Sequence, residues 1–568
     1  MHLFHHAPSR LGCFVAAVLT FAFGAVPLRA NYAQGVNGIV ASVHPLATQA
    51  GIDAMKNGGN AIDAAVAVAV TLGVVDNHDS GLGGGCFMLI HRATGEFIAL
   101  DGREMAPAAA TRDMFVRDGK GDTHLSQTGA LASGVPGALA VYAQALERCG
   151  RKKLADLLLP AAQIAEDGFP IDFVYARKLK ATADLLRGFE SPRALFFKPD
   201  GSPLIEGDVL KQPDLARSYR AMAKEGPGWF YRGAFAKAVA AWMKEHGGIM
   251  TEADFANYVV KQREPITTEY RGYKIVGLPP PSSGGVHVAQ ILNILENFDL
   301  GAMQKVGQRQ HVIGEAMKLA FADRAYWLGD PDFVNVPMGL IDKGYAKELA
   351  ARIKLDHTID VPIHGTPPDS DKRFFEKHTT HFSTADAEGN WVACTATINT
   401  AFGSKVIVPG TGILLNDEMD DFSIEPGVPN AFRLVGAEAN AVAPGKRPLS
   451  SMSPTIVLKD GKPVLALGAA GGPTIISQTV QNIVGILDLG LRLDEALAQP
   501  RIHHQWQPES LRIEKSMPKE IQDALKKLGH QLDEQTSVGS AQVVGVGPNG
   551  RTLVGASEPR AGGISLGF

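Results

Sequence analysis

Six scattered sets of polar residues in this chain could together perform acyl transfer. They are Thr379, in the run His378-Thr379-Thr380-His381-Phe382-Ser383; Thr397 with Asn399; Glu418-Met419-Asp420-Asp421; Ser450-Ser451; Gly471-Gly472; and, far upstream, Arg103. A threonine hydroxyl is a weak nucleophile unless a base lies within hydrogen-bond reach. A threonine made N-terminal by a cut before it carries its own base, because a free α-amino group titrates near about 7.7–8.0, close to a working pH. Thr397 lies 18 residues beyond Thr379, across a hairpin, where its hydroxyl could meet the first. A Gly471-Gly472 turn ahead of a helix offers backbone N–H groups to an oxyanion. Glu418 and Asp421 could hold an ammonium group, Ser450 and Ser451 could donate hydroxyls to a carboxylate, and the fork of Arg103 could pair with one. Taken singly, each has an ordinary reading: a strand-start threonine, a sheet-surface threonine, a solvated acidic loop, a surface salt bridge, a plain turn. Together they ask for a ligand with a carboxylate, an ammonium and a distant acyl group, such as an amino acid acylated through its side chain.

The flanking sequence predicts the elements that must position these groups. A short strand over 38–43 precedes a helix over 45–57 that Gly58-Gly59 stops. Asn60 and Asp63 have the spacing of a capping box for a second helix, apolar almost all round from Ala61 to Val75 and therefore buried. The run Ser80 to Gly85 leads into a strand over 87–91, and the hairpin return over 97–101 delivers Arg103. Residues 150–360 read as mostly helical. Thr251 caps one helix with Asp254 at the third position, the turn-rich stretch 279–285 enters a helix over 286–298, and 308–328 reads as a long amphipathic helix. Residues 355–377 turn polar and proline-rich, as an exposed connector would. Beyond the expected cut, 380–384 and 391–399 form a hairpin, a second hairpin turns at Asp460-Gly461, and a helix follows Gly471-Gly472-Pro473. Strands then helices with Gly-rich turns indicate stacked sheet and helix layers.

At 568 residues, 45% hydrophobic and 20% charged, the chain buries a large core. A net charge of −4 gives no basic footprint, which speaks against nucleic acid as a partner. Residues 1–30 read as a cleaved signal peptide: Arg10, an apolar run over 11–27 too short to span a bilayer, and Leu28-Arg29-Ala30 before Asn31. Cys13 lies at the start of the apolar run and not after it, so it is not a lipoprotein cysteine. The remaining Cys86, Cys149 and Cys394 are expected as free thiols. No metal site is expected, since no His/Cys group has zinc spacing and His503-His504 should point apart.

With these motifs in place, the chain resembles the γ-glutamyltransferase (γ-glutamyltranspeptidase) family from about Gly35 to Gly555. The resemblance rests on Ser80 to Leu89, Asp101 to Pro107, Pro280 to Gly285, Thr379 to Ser383, Gly412 to Phe422, Arg447 to Pro454, Gly471-Gly472 and Arg501 to Trp506. It implies an α+β fold: the four-layer αββα N-terminal nucleophile (Ntn) hydrolase sandwich formed jointly by two subunits, 31–378 and 379–568, of a self-cleaved proenzyme. It further implies cleavage between His378 and Thr379, then attack of Thr379 on the γ-amide of glutathione or another γ-glutamyl compound. The γ-glutamyl-enzyme is resolved by water or by an amino acid or dipeptide acceptor. By the same resemblance, Arg103, Ser450 and Ser451 hold the glutamyl α-carboxylate. Asn399, Glu418 and Asp421 hold its α-amino group, Thr397 supports the nucleophile, and the Gly471 and Gly472 N–H groups form the oxyanion hole. No cofactor is implied, and the location is periplasmic or secreted, with no membrane span once the signal is removed. Glu418 stands where some bacterial relatives have glutamine, and Cys86 where a fourth glycine is common. The stretch 426–438 resembles a lid loop, with Phe432 at a tyrosine position and an unexpected Arg433 beside it.

Rival readings fit less well. A glutaryl-type cephalosporin acylase of the same fold needs no ammonium pocket, and a non-catalytic relative would not fill every position. Gly563-Ile564-Ser565-Leu566-Gly567 matches a serine-hydrolase elbow, but nothing follows that could supply the acid and histidine. The Ser80 to Gly85 run lacks the lysine and spacing of a phosphate-binding loop.

Overall fold

The computed structural model describes residues 30–368, 381–425 and 427–568. The expected signal peptide up to residue 29, and the expected cleavage site His378 and nucleophile Thr379, lie outside the described residues. No helix among the described residues is long and apolar enough to cross a membrane.

Two seven-stranded antiparallel sheets organise the chain. One runs in the order Ile564–Gly567, Gly38–Ser42, His381–Asp386, Trp391–Thr397, Gly85–His91, Phe97–Gly102, Lys261–Arg263. The other runs Asn31–Gly35, Leu553–Ser557, Ser540–Val546, Lys462–Ala470, Thr455–Lys459, Tyr273–Gly277, Ile266–Tyr270. In both, strands from before residue 369 and after residue 380 are hydrogen-bonded side by side. The hairpin His381–Asp386/Trp391–Thr397 is clasped between Gly38–Ser42, with Ser383 opposite Ala41, and Gly85–His91, with Thr397 opposite Gly85.

Because strand side chains alternate faces, each strand of the first sheet serves two cores. Ile39, Ala41, Phe87, Leu89, Ala385, Trp391 and Ala393 pack with Val276, Ile456, Ala466 and Val544 of the second sheet. Their neighbours Val40, Met88, Ile90, Val392 and Cys394 pack on the opposite face with residues of the helices Pro45–Lys56, Ala61–Val75 and Ala138–Cys149. The second sheet likewise places Val457, Leu467 and Val543 with residues of the helices Ser283–Leu295, Gln308–Trp327 and Thr474–Leu487. Each fully buried aliphatic side chain stabilises by roughly 1.5–3 kcal/mol, so a register slip that swapped faces would be severely unfavourable.

Local rules hold where they were strongest. The Asn60–Asp63 capping box forms, and all of Ala61–Val75 is buried. Thr251 and Asp254 form the second box. Asp460 and Gly461, both at positive φ, make the hairpin turn. Cys86, Cys149 and Cys394 are free. Two expectations need correction. The helix expected from 286 begins at Ser283, because the Ser282 hydroxyl caps it by accepting from the Gly284 N–H. The helix Gln308–Trp327 is not amphipathic: every residue from His311 to Arg324 is buried. Its charged groups are tolerated there because they are paired. Lys318 meets Glu315 at 3.2 Å, Asp323 accepts from Gln290 and Tyr345, and Arg324 donates to Ser283.

The inner face of the central hairpin changes character along its length. Apolar at Ala385, Trp391 and Ala393, it becomes polar at Ser383, His381, Thr395 and Thr397. There the His381 ring bridges Ser383 Oγ at 2.7 Å and Thr395 Oγ1 at 3.1 Å. A Cβ on Gly468 of the facing sheet would overlap this ring, so the glycine lets the sheets approach. Gly84 does the same at the Thr397 carbonyl, where an added Cβ would overlap the oxygen. Gly84→Ala should therefore cost about 3 kcal/mol or more. The check is a thermal scan of purified protein, and a melting temperature equal to that of the parent chain would remove this close approach as a constraint.

Candidate active site

The end of the strand Phe97–Gly102 sets Arg103 at the centre of a buried charge cluster. The Arg103 N–H donates to Asp101 Oδ1 at 3.0 Å, and its carbonyl accepts from Tyr258 Oη at 2.7 Å. Asp101 is held in turn by Arg447 at 2.5 Å and Arg263 at 3.0 Å. With its backbone fixed, the fully buried guanidinium donates to Glu418 Oε1, to Asp421 Oδ2 at 2.7 Å and to the Pro448 carbonyl at 3.2 Å, with Glu104 Oε2 at 3.5 Å. The solvated acidic loop and the surface salt bridge are both ruled out.

The acids arrive on a short 3-10 helix, Glu418–Asp421. Asn416 anchors it by accepting from the Glu418 N–H at 3.0 Å while donating to the Gly83 and Gly134 carbonyls at 2.7 and 2.8 Å. Burial pushes the Glu418 carboxyl well above its usual range despite Arg103, and the adjacent Glu104 adds to the shift. Burial also raises Glu104 to about 7 and Asp420 to about 7. One guanidinium does not neutralise three dry carboxylates, so the cluster retains protons near neutral pH.

Asn399 sits at φ 75 just past the strand Trp391–Thr397. Its N–H donates to Thr397 Oγ1 at 2.7 Å and its Nδ2 to the Asp417 carbonyl at 2.9 Å. Asn399 Oδ1 and Glu418 Oε2 are buried acceptors without a hydrogen-bond donor among the described residues. The loop bearing Ser450 and Ser451 is tied to the start of the helix Ser283–Leu295: Ser283 N–H donates to the Ser450 carbonyl at 3.0 Å. The buried Arg324 donates to Ser283 Oγ at 3.1 Å and Ser451 Oγ at 3.3 Å. Gly471 and Gly472, at φ 129 and 59, turn the strand Lys462–Ala470 into the helix Thr474–Leu487. Neither of their N–H groups donates a hydrogen bond among the described residues.

The stretch read as a lid packs against both the acids and Gly472. Asn430 Nδ2 donates to Asp421 Oδ1 at 3.0 Å, the Ala431 N–H donates to Asp420 Oδ2 at 2.9 Å, and the Phe432 ring occupies the space above Gly472. Gln505 holds the lid by donating to the Arg433 carbonyl at 2.9 Å. Only about 10 Å³ remains between Arg324, Asp421, Asn430 and Asn440, the room of a single water. Across Phe432 a cavity of about 680 Å³ opens, lined by Asn399, Gly471 and Gly472.

The structure thus brings Arg103, Glu418 and Asp421 into direct contact, Thr397 against Asn399, Ser450-Ser451 to the same cluster through Pro448, and Gly471-Gly472 beneath the lid. Glu418 and Asp421, read as ammonium holders, grip the Arg103 guanidinium here. Sequence reasoning missed Glu104, Arg324, Asn430 and the His381 bridge. Glu104 adjoined a residue already singled out, whereas nothing local marks Arg324.

Comparison with known proteins places this geometry. The family model described as Gamma-glutamyltranspeptidase matches residues 47–568. The chain is similar to the glutathione hydrolase proenzyme of Escherichia coli (strain K12), 46% identical over 542 residues, covering 94% of this chain and 91% of that protein. Among solved structures it is similar to a cephalosporin acylase from Bacillus halodurans, with TM-score 0.85, 31% identity, and coverage of 96% of this chain and 98% of that one. It is also similar to the Helicobacter pylori gamma-glutamyltranspeptidase, with TM-score 0.54, 42% identity, and coverage of 58% and 93%.

The buried acids give a signed pH dependence. A carboxyl whose folded pKa lies above its unfolded value binds its proton more tightly when folded. Its contribution therefore favours the fold at low pH and is lost as pH rises from about 4.5 through about 7 for Glu104. Glu104→Gln should flatten the decline in melting temperature between pH 5 and pH 8; a slope identical to that of the parent chain would show that Glu104 does not titrate in this window.

Proposed function

Because the chain belongs to the gamma-glutamyltranspeptidase family, we propose that it is a self-cleaving glutathione hydrolase and γ-glutamyltransferase with Thr379 as its nucleophile. The proenzyme cuts itself between His378 and Thr379: the Thr379 hydroxyl attacks the preceding carbonyl, the N-to-O acyl shift breaks the amide and frees the α-amino group, and hydrolysis of the resulting ester releases the His378 carboxylate and restores the Thr379 hydroxyl. In the mature enzyme that amine takes the hydroxyl proton as the oxygen attacks the γ-carbonyl of the donor. The N–H groups of Gly471 and Gly472 receive the oxyanion, the leaving amine departs protonated, and water or an amino acid or dipeptide acceptor releases the γ-glutamyl group. Support for the role of Thr397 comes from its place: it ends the strand whose Thr395 lies opposite His381, and its Oγ1 accepts from the Asn399 N–H at 2.7 Å.

The observation that carries the substrate reading is the closed cluster of Arg103, Glu418 and Asp421. A glutamyl α-carboxylate that takes the guanidinium frees two acids, and the α-ammonium of the same molecule pairs with them. The exchange conserves buried charge, with Asn399 Oδ1 and Glu418 Oε2 as waiting acceptors. Ser450 and Ser451 complete the carboxylate side. A glutaryl donor lacks the ammonium and would strand the freed acids, a loss of about 3–5 kcal/mol for an uncompensated buried charge. The likeness to an acylase makes this comparison the decisive one.

The same reading takes the two sheets and their helices as a four-layer αββα sandwich of the Ntn-hydrolase type, built jointly by subunits 31–378 and 379–568 as a heterodimer. It also takes residues 1–30 as an export signal, giving a periplasmic or secreted enzyme.

Intact-mass spectrometry of Thr379→Ala should find one uncut, inactive chain; two normal subunits from that variant would sink the mechanism. Asp421→Ala should mature normally yet lose at least about 100-fold in kcat/KM on a γ-glutamyl anilide. In the parent enzyme the γ-glutamyl anilide should turn over far faster than its glutaryl counterpart, and the reverse preference would establish an acylase.

A further inference from the structure

The 680 Å³ cavity beside Gly471-Gly472 is also lined by Asp76, His78 and Asp79, none of which has a part in the chemistry above. They lie on one tight turn after the helix Ala61–Val75: Asp76 is its C-cap, and the Asp79 and Ser80 N–H groups both donate back to the Asp76 carbonyl, at 2.9 and 3.1 Å. His78 is 3% exposed, and neither of its ring nitrogens makes a hydrogen bond; Asp76 Oδ2 is likewise buried and unpartnered. A native fold rarely leaves three such atoms dry and unsatisfied in one place. His78 Nε2 lies 3.4 Å from Asp76 Oδ1 and 3.6 Å from Asp79 Oδ2.

Those spacings have a chemical meaning. Ligands about 2.1 Å from a tetrahedral zinc ion stand about 3.4 Å from one another. We infer that Asp76, His78 and Asp79 form a three-ligand site for a divalent transition metal of the zinc class, with its remaining position open to the cavity. One imidazole and two carboxylates suit such an ion better than calcium or magnesium, which want six or more oxygens. The site lies at the negative end of a 15-residue helix, where positive charge is favoured. The His78 ring is held edge-on by Tyr175 at 4.5 Å.

The nearest cation, Lys178, opposes the ion by pairing with Asp79, on a side chain that is 27% exposed and can swing outward, while Arg177 and Arg560 also line the cavity. A second cluster, His311, Glu315 and His530, has ligand atoms as close together, but its imidazoles are bonded and Glu315 Oε1, though without a hydrogen bond, lies against the Lys318 ammonium. His311 bonds His530 at 2.7 Å and the Lys354 carbonyl at 2.6 Å, and Glu315 pairs with Lys318.

The test is calorimetric titration of chelator-treated mature protein with Zn²⁺, backed by the visible spectrum of the Co²⁺ form. One ion per chain should bind, with the strong absorption of a four-coordinate cobalt site. His78→Gln, with unchanged circular dichroism, should weaken binding about 100-fold or more. Lys178→Ala should tighten it several-fold, which an adventitious surface site would not show, and His530→Gln should leave it unchanged. The proposal is overturned by the absence of stoichiometric binding, by equal affinity in His78→Gln, by unchanged affinity in Lys178→Ala, or by loss of binding in His530→Gln.

Discussion

One guanidinium, that of Arg103, sits dry among the carboxylates of Glu104, Glu418 and Asp421, and much of the architecture serves to hold it there. Burying an ion pair gains little by itself, since desolvation cancels most of the attraction, but stranding one member is expensive. Arg103 is therefore backed by an outer layer in which Asp101 is gripped by Arg447 and Arg263. The acids are backed by Asn416, whose amide reaches the glycine-rich run before the strand Gly85–His91. Those glycines are small because the Leu414 and Thr397 carbonyls and, at Gly85, the Glu104 carboxylate come so near. The charge cluster thus dictates the glycines, and the glycines set how closely the end of the central hairpin can approach.

The lid divides the region around this cluster into two unlike compartments. On the side of the acids, Asn430 and Ala431 bond Asp421 and Asp420 directly and leave room for about one water. On the far side of Phe432 lies open volume bounded by the glycine turn. Small and polar against large and mixed is the asymmetry expected of a site that recognises one half of its substrate strictly and the other loosely. Gln505 grips the lid through main-chain carbonyls of Phe432 and Arg433, so the hold does not depend on which side chains those two positions carry.

Much of this was legible in the sequence. Capping boxes, hairpin turns and the all-apolar helix Ala61–Val75 are set by neighbours within four residues, and they formed as expected. The grouping of Arg103 with Glu418 and Asp421 was legible through motif resemblance. Their direct pairing was not, because it depends on two segments more than 300 residues apart meeting in a dry pocket. The helix Gln308–Trp327 misled for the same reason: its Glu315, Lys318, Asp323 and Arg324 suggested a wet face, and only distant partners make them tolerable inside. Arg324, the Asn430 contact with Asp421 and the environment of His78 likewise have no local signature.

The side-by-side pairing of strands from before and after the proposed cut reaches further than the site. A chain severed before Thr379 would leave each fragment with gaps in both sheets, since Gly38–Ser42 and Gly85–His91 are neighbours only through the hairpin between them. Neither fragment could fold alone and then dock; each would present open strand edges that favour self-association. A connected precursor would find the native arrangement more readily than separate fragments, and the proposed cut would discard the covalent link that shortens the search. A molecule so cut would persist by the height of its unfolding barrier rather than by its ability to refold, so its working life would be a rate rather than an equilibrium.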